Sequence, residues 1–173
     1  MILYTMESFY WVVVLLITIC VIDVLYLALI KPLFYKSKAI KLLKKHSFNN
    51  KKMIRIINNK KEGCDFSFQL DDTIYNVKVL LNPRNSDIQI NNIETFISYV
   101  NAGSDNMKTK TLPKMSAFMN NKLDNKIILL PVKAKTIKKV INECEMKFIQ
   151  PETDIYGCKI NNYQDLKQNI NRF

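Results

Sequence analysis

The chain contains 173 residues and has a formal net charge of +11. This length leaves room for one small folded domain beside a membrane segment and excludes a protein of several large domains. Three glycines are too few for a glycine-rich phosphate loop, so the common nucleotide-binding motifs are excluded. The four cysteines lack CxxC spacing and His46 is the single histidine, so we expect no metal site from a zinc motif.

The first element along the chain is an apolar run from Phe9 to Ile30, which contains one charged residue, Asp23. A helix of this length, rising about 1.5 Å per residue, crosses a hydrocarbon core of about 30 Å. We therefore predict a transmembrane helix over residues 9–30, preceded by a short extracytoplasmic terminus over residues 1–8. Two interpretations of Asp23 stay open: contact with another helix or an ion path, and a protonated carboxyl in a single span.

Basic residues are concentrated directly after this run. Residues 31–61 contain eleven basic side chains and no acidic one, whereas residues 62–173 are nearly balanced, with fifteen basic and thirteen acidic side chains. Lys and Arg on one flank of a span mark its cytoplasmic side. The sequence lacks the features of a cleaved signal peptide. We therefore predict an uncleaved single-pass anchor in the cell membrane, with the N-terminus outside and the C-terminal domain in the cytoplasm. The abundance of Asn, Lys and Ile is typical of an AT-rich bacterial genome.

A basic amphipathic segment follows the anchor, within residues 31–48. Its sequence KSKAIKLLKK alternates apolar side chains with five lysines, namely Lys36, Lys38, Lys41, Lys44 and Lys45. Such a helix is suited to the membrane surface, where each lysine gains up to about 1 kcal/mol near anionic lipid head groups. The lipid bilayer and its anionic head groups are therefore predicted partners. A solvated continuation of the anchor helix is the alternative.

The soluble part, residues 49–173, is predicted to be a small α/β (α+β) domain with a mixed sheet. A helix ending near Lys60 comes first. A hairpin follows, because apolar and polar residues alternate in Phe66–Leu70 and again in Tyr75–Val79. If Asp71 and Asp72 form its two-residue turn, Leu70 lies opposite Thr73, Ser67 opposite Asn76 and Asp65 opposite Lys78. The polar face of this hairpin then gathers Asp65, Ser67, Asn76 and Lys78.

The remaining elements are predicted from composition and periodicity. In chain order they are a turn at 82–85, strand segments at 87–92 and 95–100, a mobile loop at 101–114, a helix at 113–121, a buried strand at 126–132, a helix at 134–144, a strand at 146–149 and a terminal helix at 163–170. The domain order is thus helix, three strands, helix, strand, helix, strand and helix. The mobile loop carries Lys108, Lys110 and Lys114, which are candidate binding residues.

The helix, the antiparallel strands, the next helix and the strand after it resemble the core of the PD-(D/E)xK nuclease-like superfamily across residues 50–132. The superfamily includes nuclease-related domains of bacterial membrane proteins. Asp65 matches its first acidic residue and Lys78 its lysine, while Asn76 stands where the second carboxylate belongs. The resemblance implies a divalent cation, Mg²⁺, that activates water for phosphodiester hydrolysis.

The neutral Asn76 removes one of the two anionic ligands that a hard cation requires, so the implied chemistry is missing a part. Asp71, Asp72 or Glu62 are conceivable replacements because they are near in sequence. Without a metal, Asp65 and Lys78 form an ordinary cross-strand ion pair. No cofactor is expected unless the nuclease interpretation holds, in which case it is Mg²⁺.

Three functions remain in competition. The leading one is a membrane-anchored, non-catalytic domain of nuclease-like fold that binds a protein or a nucleic acid at the membrane surface. The second is a metal-dependent nuclease that uses Asp65 and Lys78. The third is a structural subunit that recruits other membrane proteins, through Asp23 or the lipid surface. Nucleic-acid affinity depends on clustered cations, so the balanced charge of residues 62–173 favours a protein partner over a nucleic acid.

Overall fold

The computed structural model describes residues 2–50, 54–57, 63–101, 107–112, 115–150 and 153–165. The chain divides into two units, one ending at Tyr35 and the other starting at Lys36. The first unit holds the apolar helix and the second holds the sheets. The predicted class, an apolar N-terminal helix followed by a mixed-sheet α+β domain, is confirmed.

The apolar helix is interrupted near its end by one π-helical turn. Helix α1 covers Ile2–Leu25, the π-helical turn covers Tyr26–Ile30, and helix α2 covers Lys31–Asn50. Pro32 lacks an N–H, and its ring clashes with the carbonyl four residues earlier in a regular α-helix. The wider turn accommodates this, with the N–H of Lys31 bonded to the carbonyl of Tyr26. The stretch Phe9–Lys45 is long and apolar enough to span a membrane.

The second half of α2 packs on the domain through its apolar residues. Ala39 and Leu43 are fully buried, and the ammonium of Lys38 lies 5.7 Å from the ring centroid of Tyr163. The apolar face expected to meet lipid is therefore in part covered by protein. The lysines behave differently: Lys36 is half-buried, and the other four are exposed, namely Lys38, Lys41, Lys44 and Lys45. Their contact with lipid head groups stays a prediction.

Ten strands and one short helix follow α2 in the described residues. They are β1 (Ile54–Ile57), β2 (Phe66–Leu70), β3 (Thr73–Val79), β4 (Asp87–Ile90), β5 (Phe96–Asn101), β6 (Met107–Thr111), α3 (Ser116–Met119), β7 (Lys126–Leu130), β8 (Thr136–Asn142), β9 (Glu145–Phe148) and β10 (Cys158–Asn162). The first sheet has the order β1-β2-β3-β7-β10, and the second has the order β6-β5-β4-β8-β9.

The chain crosses from the first sheet to the second after β3 and again after β7. In the first sheet β3 pairs in parallel with β7, and in the second sheet their successors β4 and β8 do the same. The two crossings are bonded to each other: the amide of Asn82 donates to the carbonyl of Val132 at 2.9 Å, and the N–H of Lys135 donates to the carbonyl of Ser86 at 2.8 Å. The chain therefore passes between the sheets twice at one place.

A single hydrophobic cluster joins the two sheets and α3. It includes Ile128, Leu130 and Ile160 from the first sheet, Ile88, Ile90 and Phe96 from the second, and Phe118 and Met119 from α3. The opposite face of the first sheet is buried as well, with Phe68, Val77 and Leu129 all fully covered. Both faces of the first sheet are therefore interior, as its continuous apolar strand β7 indicates.

The predicted hairpin is confirmed in its register. Leu70 pairs with Thr73 and Ser67 pairs with Asn76, and the turn residue Asp71 has a positive φ of 53°. Left-handed backbone is accessible to aspartate at modest cost, so Asp-Asp serves where Asn-Gly is more common. The turn at 82–85, the two short strands after it, a helix inside 113–121, the buried strand from Lys126 and the strand near Met146 are confirmed too.

Three predicted elements are wrong. Residues 54–57 form strand β1 rather than the end of a helix, and residues 136–142 form strand β8 rather than a helix. Residues 107–111 form strand β6 where a mobile loop was expected. In each case the β-branched residues gain pairing with a neighbouring strand that sequence spacing does not reveal. The terminal helix is helical at 163–165, and its predicted continuation lies outside the described residues.

The cysteines differ sharply in exposure, which gives a simple test of the fold. Cys144 is exposed, whereas Cys64 and Cys158 are buried. Burial raises the pKa of Cys158 to about 12, and the thiolate is the reactive form of cysteine. In the native full-length protein at about pH 8, we expect a thiol reagent to modify Cys144 at once and Cys64 and Cys158 only after denaturation. Peptide mass spectrometry reports this, and rapid native modification of Cys158 would contradict the fold.

Candidate functional site

The four polar residues of the hairpin share one face of the first sheet, as the sequence predicted. Asn76 and Lys78 alternate with Val77 along β3, and their parallel partners on β7 are Lys126 and Ile128. Ile128 belongs to the shared core. Ser67 and Asn76 therefore lie on the face of the sheet that carries the shared core. Ser67 and Asn76 are accordingly buried, at 1% and 5% exposure.

Both carboxylate oxygens of Asp65 have partners within the hairpin. Oδ2 accepts the backbone N–H of Val79 at 2.7 Å, and Oδ1 lies 3.4 Å from Nζ of Lys78. The Asp65 and Lys78 side chains are 31% and 25% exposed. A pair this accessible to water contributes roughly 0–1 kcal/mol to stability. The predicted cross-strand ion pair is therefore present, and its carboxylate also closes the end of the β2–β3 ladder.

Asn76 is held by two hydrogen bonds of opposite polarity. Its Oδ1 accepts from the hydroxyl of Ser67 at 2.8 Å, and its Nδ2 donates to the backbone carbonyl of Asp124 at 2.9 Å. A carboxylate in this place has no hydrogen to donate, and its charge is buried beside a carbonyl oxygen. The site therefore requires an amide, and the position that a metal-dependent nuclease fills with an acid is adapted to a neutral side chain.

Two of the conceivable replacement carboxylates are too distant to complete a metal site at Asp65. Asp71 and Asp72 form the hairpin turn, about six strand residues and thus roughly 20 Å from Asp65. Glu62 lies outside the described residues. Within the described ranges, no group of three His, Cys, Asp or Glu side chains is placed to hold a metal ion. The side chains near Asp65 thus do not fit the Mg²⁺ that the resemblance implies.

A cavity of about 550 Å³ opens beside the buried end of this polar face. It is lined by Ser67 and Asn76 and by three charged side chains, Asp72, Lys122 and Asp124. Asp65 and Lys78 are not among its lining residues. The cavity and the ion pair are therefore separate features, although Asn76 and Lys78 lie on the same face of β3.

Two of the three lysines predicted to bind a partner lie on a strand rather than in a loop. Lys108 and Lys110 lie on β6, where they pair with Val100 and Ser98 of β5. Lys114 lies outside the described residues. Lys108 and Lys110 thus lie on an edge strand of the second sheet, and their role in binding stays a prediction.

Lys126 is a buried charge that sequence reasoning read only as the first residue of an apolar strand. It is 7% exposed, and its ammonium donates to the carbonyls of Met119 and Asn121, each at 2.7 Å. These carbonyls lie at the C-terminal end of α3, where intrahelical donors run out. Lys126 thus fixes α3 against the sheet. No sequence pattern near Lys126 signals this role.

Replacing Lys126 by methionine keeps the apolar stem and removes the ammonium. We expect a loss of about 2–3 kcal/mol in the free energy of unfolding, because two buried carbonyls lose a charged donor. Urea unfolding of the full-length protein in detergent, followed by circular dichroism, measures the change. The control is Lys122→Met at an exposed position, where we expect a change within about 0.5 kcal/mol. Equal effects of the two substitutions would contradict the role of Lys126.

The second sheet has a face that the sequence does not predict, because the spacing of the apolar residues in β8 indicates a helix. Its inner face carries core residues such as Ile88 and Phe96. The alternate residues form what we name the outer face. Its apolar members are half-buried or exposed, namely Ile97, Tyr99, Val140, Met146 and Phe148. Lys138 lies on the same face, with its ammonium 5.1 Å from the ring centroid of Phe148. The outer face thus combines these apolar side chains with polar ones, among them Asp87, Gln89 and Thr136, and part of it is exposed to solvent.

Comparisons with protein-family models, with curated proteins and with solved structures found no match to this chain. The resemblance to nuclease-like domains therefore stays a hypothesis, and any function has to be inferred from the geometry of the chain itself.

Proposed function

We propose that this chain is a single-pass membrane protein whose mixed-sheet domain acts in the cytoplasm by binding a protein partner, without phosphodiester hydrolysis. One observation carries the proposal: the side chains that match the nuclease motif are bonded to partners within the domain. Both oxygens of Asp65 are bonded, and both polar groups of the Asn76 amide are bonded.

Hydrolysis by a nuclease of this type needs carboxylate oxygens free to ligate a cation and a lysine free to orient water. Here Lys78 is paired with Asp65, and Asp65 also accepts the Val79 N–H. A cation at Asp65 would compete with the Lys78 ammonium for the carboxylate and would gain only one anionic ligand. This arrangement favours a binding domain over an enzyme.

The outer face of the second sheet favours a protein as the partner. Phe148 and Met146 are 62% and 50% exposed there, and both are apolar. Open apolar faces of this kind mark protein contacts, whereas nucleic-acid surfaces depend on clustered cations. Among the described residues of the outer face, Lys138 is the basic one.

The orientation follows from the positive-inside rule, because the eleven basic residues at 31–61 directly follow the apolar run. A reporter fused after Phe173 should be active only when it is of a kind that functions in the cytoplasm. Activity of a reporter that requires the opposite side of the membrane would overturn the orientation.

The proposal is tested with the full-length protein in detergent, incubated with labelled DNA and RNA and with Mg²⁺ or Mn²⁺. We expect no cleavage above background from the wild type, from Lys78→Ala or from Asp65→Asn. Metal-dependent cleavage that disappears in Lys78→Ala would establish the nuclease alternative instead.

The same preparation separates the two kinds of partner. Fluorescence anisotropy of a labelled oligonucleotide should stay unchanged on addition of the protein at physiological salt. Binding that weakens steeply as salt increases would replace the protein partner with a nucleic acid.

A further inference from the structure

Strand β9 is an edge strand of the second sheet. Along the edge that faces away from β8, it has no partner strand among the described residues. All four of its residues, Glu145–Phe148, are exposed. An exposed edge presents unpaired N–H and C=O groups and readily adds another strand. In the sequence of β9, the acidic Glu145 precedes Met146 and the basic Lys147 follows it.

The hydrogen-bonding pattern shows which backbone groups are free. The N–H of Ile149 donates to the carbonyl of Ile137 at 2.8 Å, so these two residues form a hydrogen-bonded pair. Such pairs alternate along an antiparallel ladder, and Lys139 opposite Lys147 is the next one. The N–H and C=O groups of Met146 and Phe148 therefore point away from β8, toward the open edge.

We propose that β9 pairs antiparallel with β9 of a second copy of this chain, centred on Met146, so that the two second sheets become one continuous sheet. A two-fold axis at Met146 places Glu145 of each copy opposite Lys147 of the other. The dimer thus contains two identical pairs of Glu145 and Lys147, and each copy contributes one residue to each pair. The free backbone groups of Met146 meet those of Met146 in the second copy, which is the hydrogen-bonded arrangement.

The neighbouring registers are disfavoured by charge. Hydrogen-bonding groups also face each other when the axis passes through Glu145 or through Lys147. The first of these places two glutamates opposite each other, and the second places two lysines opposite each other, which destabilises a strand pair. The axis at Met146 is the register in which backbone parity and charge agree.

A second copy fits this edge better than other partners. A nucleic acid or an anionic lipid surface requires a cluster of cations, whereas β9 carries one glutamate and one lysine. The chain has a net charge of +11, so two copies repel at long range and need a locally self-complementary contact. The pattern Glu145, Met146, Lys147 provides that contact.

Disulfide cross-linking of the full-length chain in detergent tests the register. The two exposed native cysteines are first replaced by serine, as Cys20→Ser and Cys144→Ser. In this background, Met146→Cys places the two thiols on residues whose Cα atoms are about 5.5 Å apart, within the range for a disulfide. The matched control Phe148→Cys places them about four strand residues apart, roughly 13 Å along the strand. We expect at least tenfold more disulfide-linked dimer from Met146→Cys than from Phe148→Cys.

Charge reversal in the Met146→Cys background tests the pairing itself. Glu145→Lys alone or Lys147→Glu alone makes both cross-strand pairs like-charged, so each should lower the dimer yield at least about fivefold. The double variant with both reversals restores opposite charges and should restore the yield. These residues are exposed, so folding is retained, and circular dichroism checks this.

Equal yields from Met146→Cys and Phe148→Cys would overturn the proposed register. Yields that are unaffected by the single reversals would assign the dimer to another contact, such as the apolar helix, and would also overturn the proposal. Failure of the double variant to recover, or a monomer throughout, would have the same consequence. None of these outcomes depends on whether the domain binds a further protein or cleaves nucleic acid.

Discussion

Replacing Gly63 by alanine is expected to lower the free energy of unfolding by about 2–5 kcal/mol. Gly63 has a φ of 80°, in the left-handed region that costs about 1–2 kcal/mol for an L-residue. An added Cβ would also lie 2.8 Å from the backbone nitrogen of Phe118 and 3.0 Å from the carbonyl carbon of Ala117. Because these atoms belong to the backbone of α3, they cannot move aside by a change of rotamer.

Gly157→Ala is the matched control for this prediction. Gly157 has a φ of 75°, but a Cβ there meets no atom within 4 Å. Its substitution should therefore cost only the left-handed term, about 1–2 kcal/mol. Urea unfolding of both full-length variants in detergent measures the difference. If the two substitutions have the same effect, α3 does not lie against Gly63 as the structure shows.

Truncation of Phe68 to alanine is expected to destabilise the domain by about 3–5 kcal/mol, the usual range for a buried aromatic residue. Phe68 is fully buried at the centre of the first sheet, and its ring stacks on Tyr75 with centroids 5.1 Å apart. The cavity left behind is bounded by strands on both sides, so collapse around it is limited. Thermal or urea unfolding followed by circular dichroism measures the loss.

Ile74→Ala on the same hairpin is the control for Phe68. Ile74 is 46% exposed, so its truncation should change stability by no more than about 1 kcal/mol. A change at Ile74 as large as that at Phe68 would show that the hairpin buries the opposite face, which a register shift of one residue produces.

The hairpin is the part of the fold whose strand register can be predicted from the sequence. Strict alternation in two short runs, with two residues between them, leaves one register that buries the apolar side chains. The cross-strand partners of Ser67 and Asp65 follow from that register without knowledge of the rest of the chain. The ion pair between Asp65 and Lys78 is its direct consequence.

Strand β8 shows why other elements could not be predicted. Ile137, Val140 and Ile141 have the spacing of one helix face, which predicts a helix, whereas their β-branched side chains favour a strand. The residues that decide the matter are on β4, about 49 positions earlier, where Asp87 pairs with Thr136 and Ile88 with Ile137. Long-range pairing of this kind leaves no local mark on the sequence.

The candidate site was likewise only partly predictable. The sequence shows an amide at position 76, but not that this amide donates to the carbonyl of Asp124, which lies 48 residues away in the chain. The same is true of Lys126, whose partners Met119 and Asn121 are set by the path of α3. The burial of Ser67 and Asn76 is likewise a property of the folded domain that the sequence of the hairpin does not show.

Metal binding provides the most direct test of whether Asp65 holds a catalytic metal. Mn²⁺ is titrated into the full-length wild type and into Asp65→Asn, with bound metal followed by electron paramagnetic resonance. Because Asp65 is paired and Asn76 is neutral, we expect only weak binding that is the same in both proteins. One Mn²⁺ bound per chain in the wild type, and lost in Asp65→Asn, would contradict a binding domain without catalytic metal.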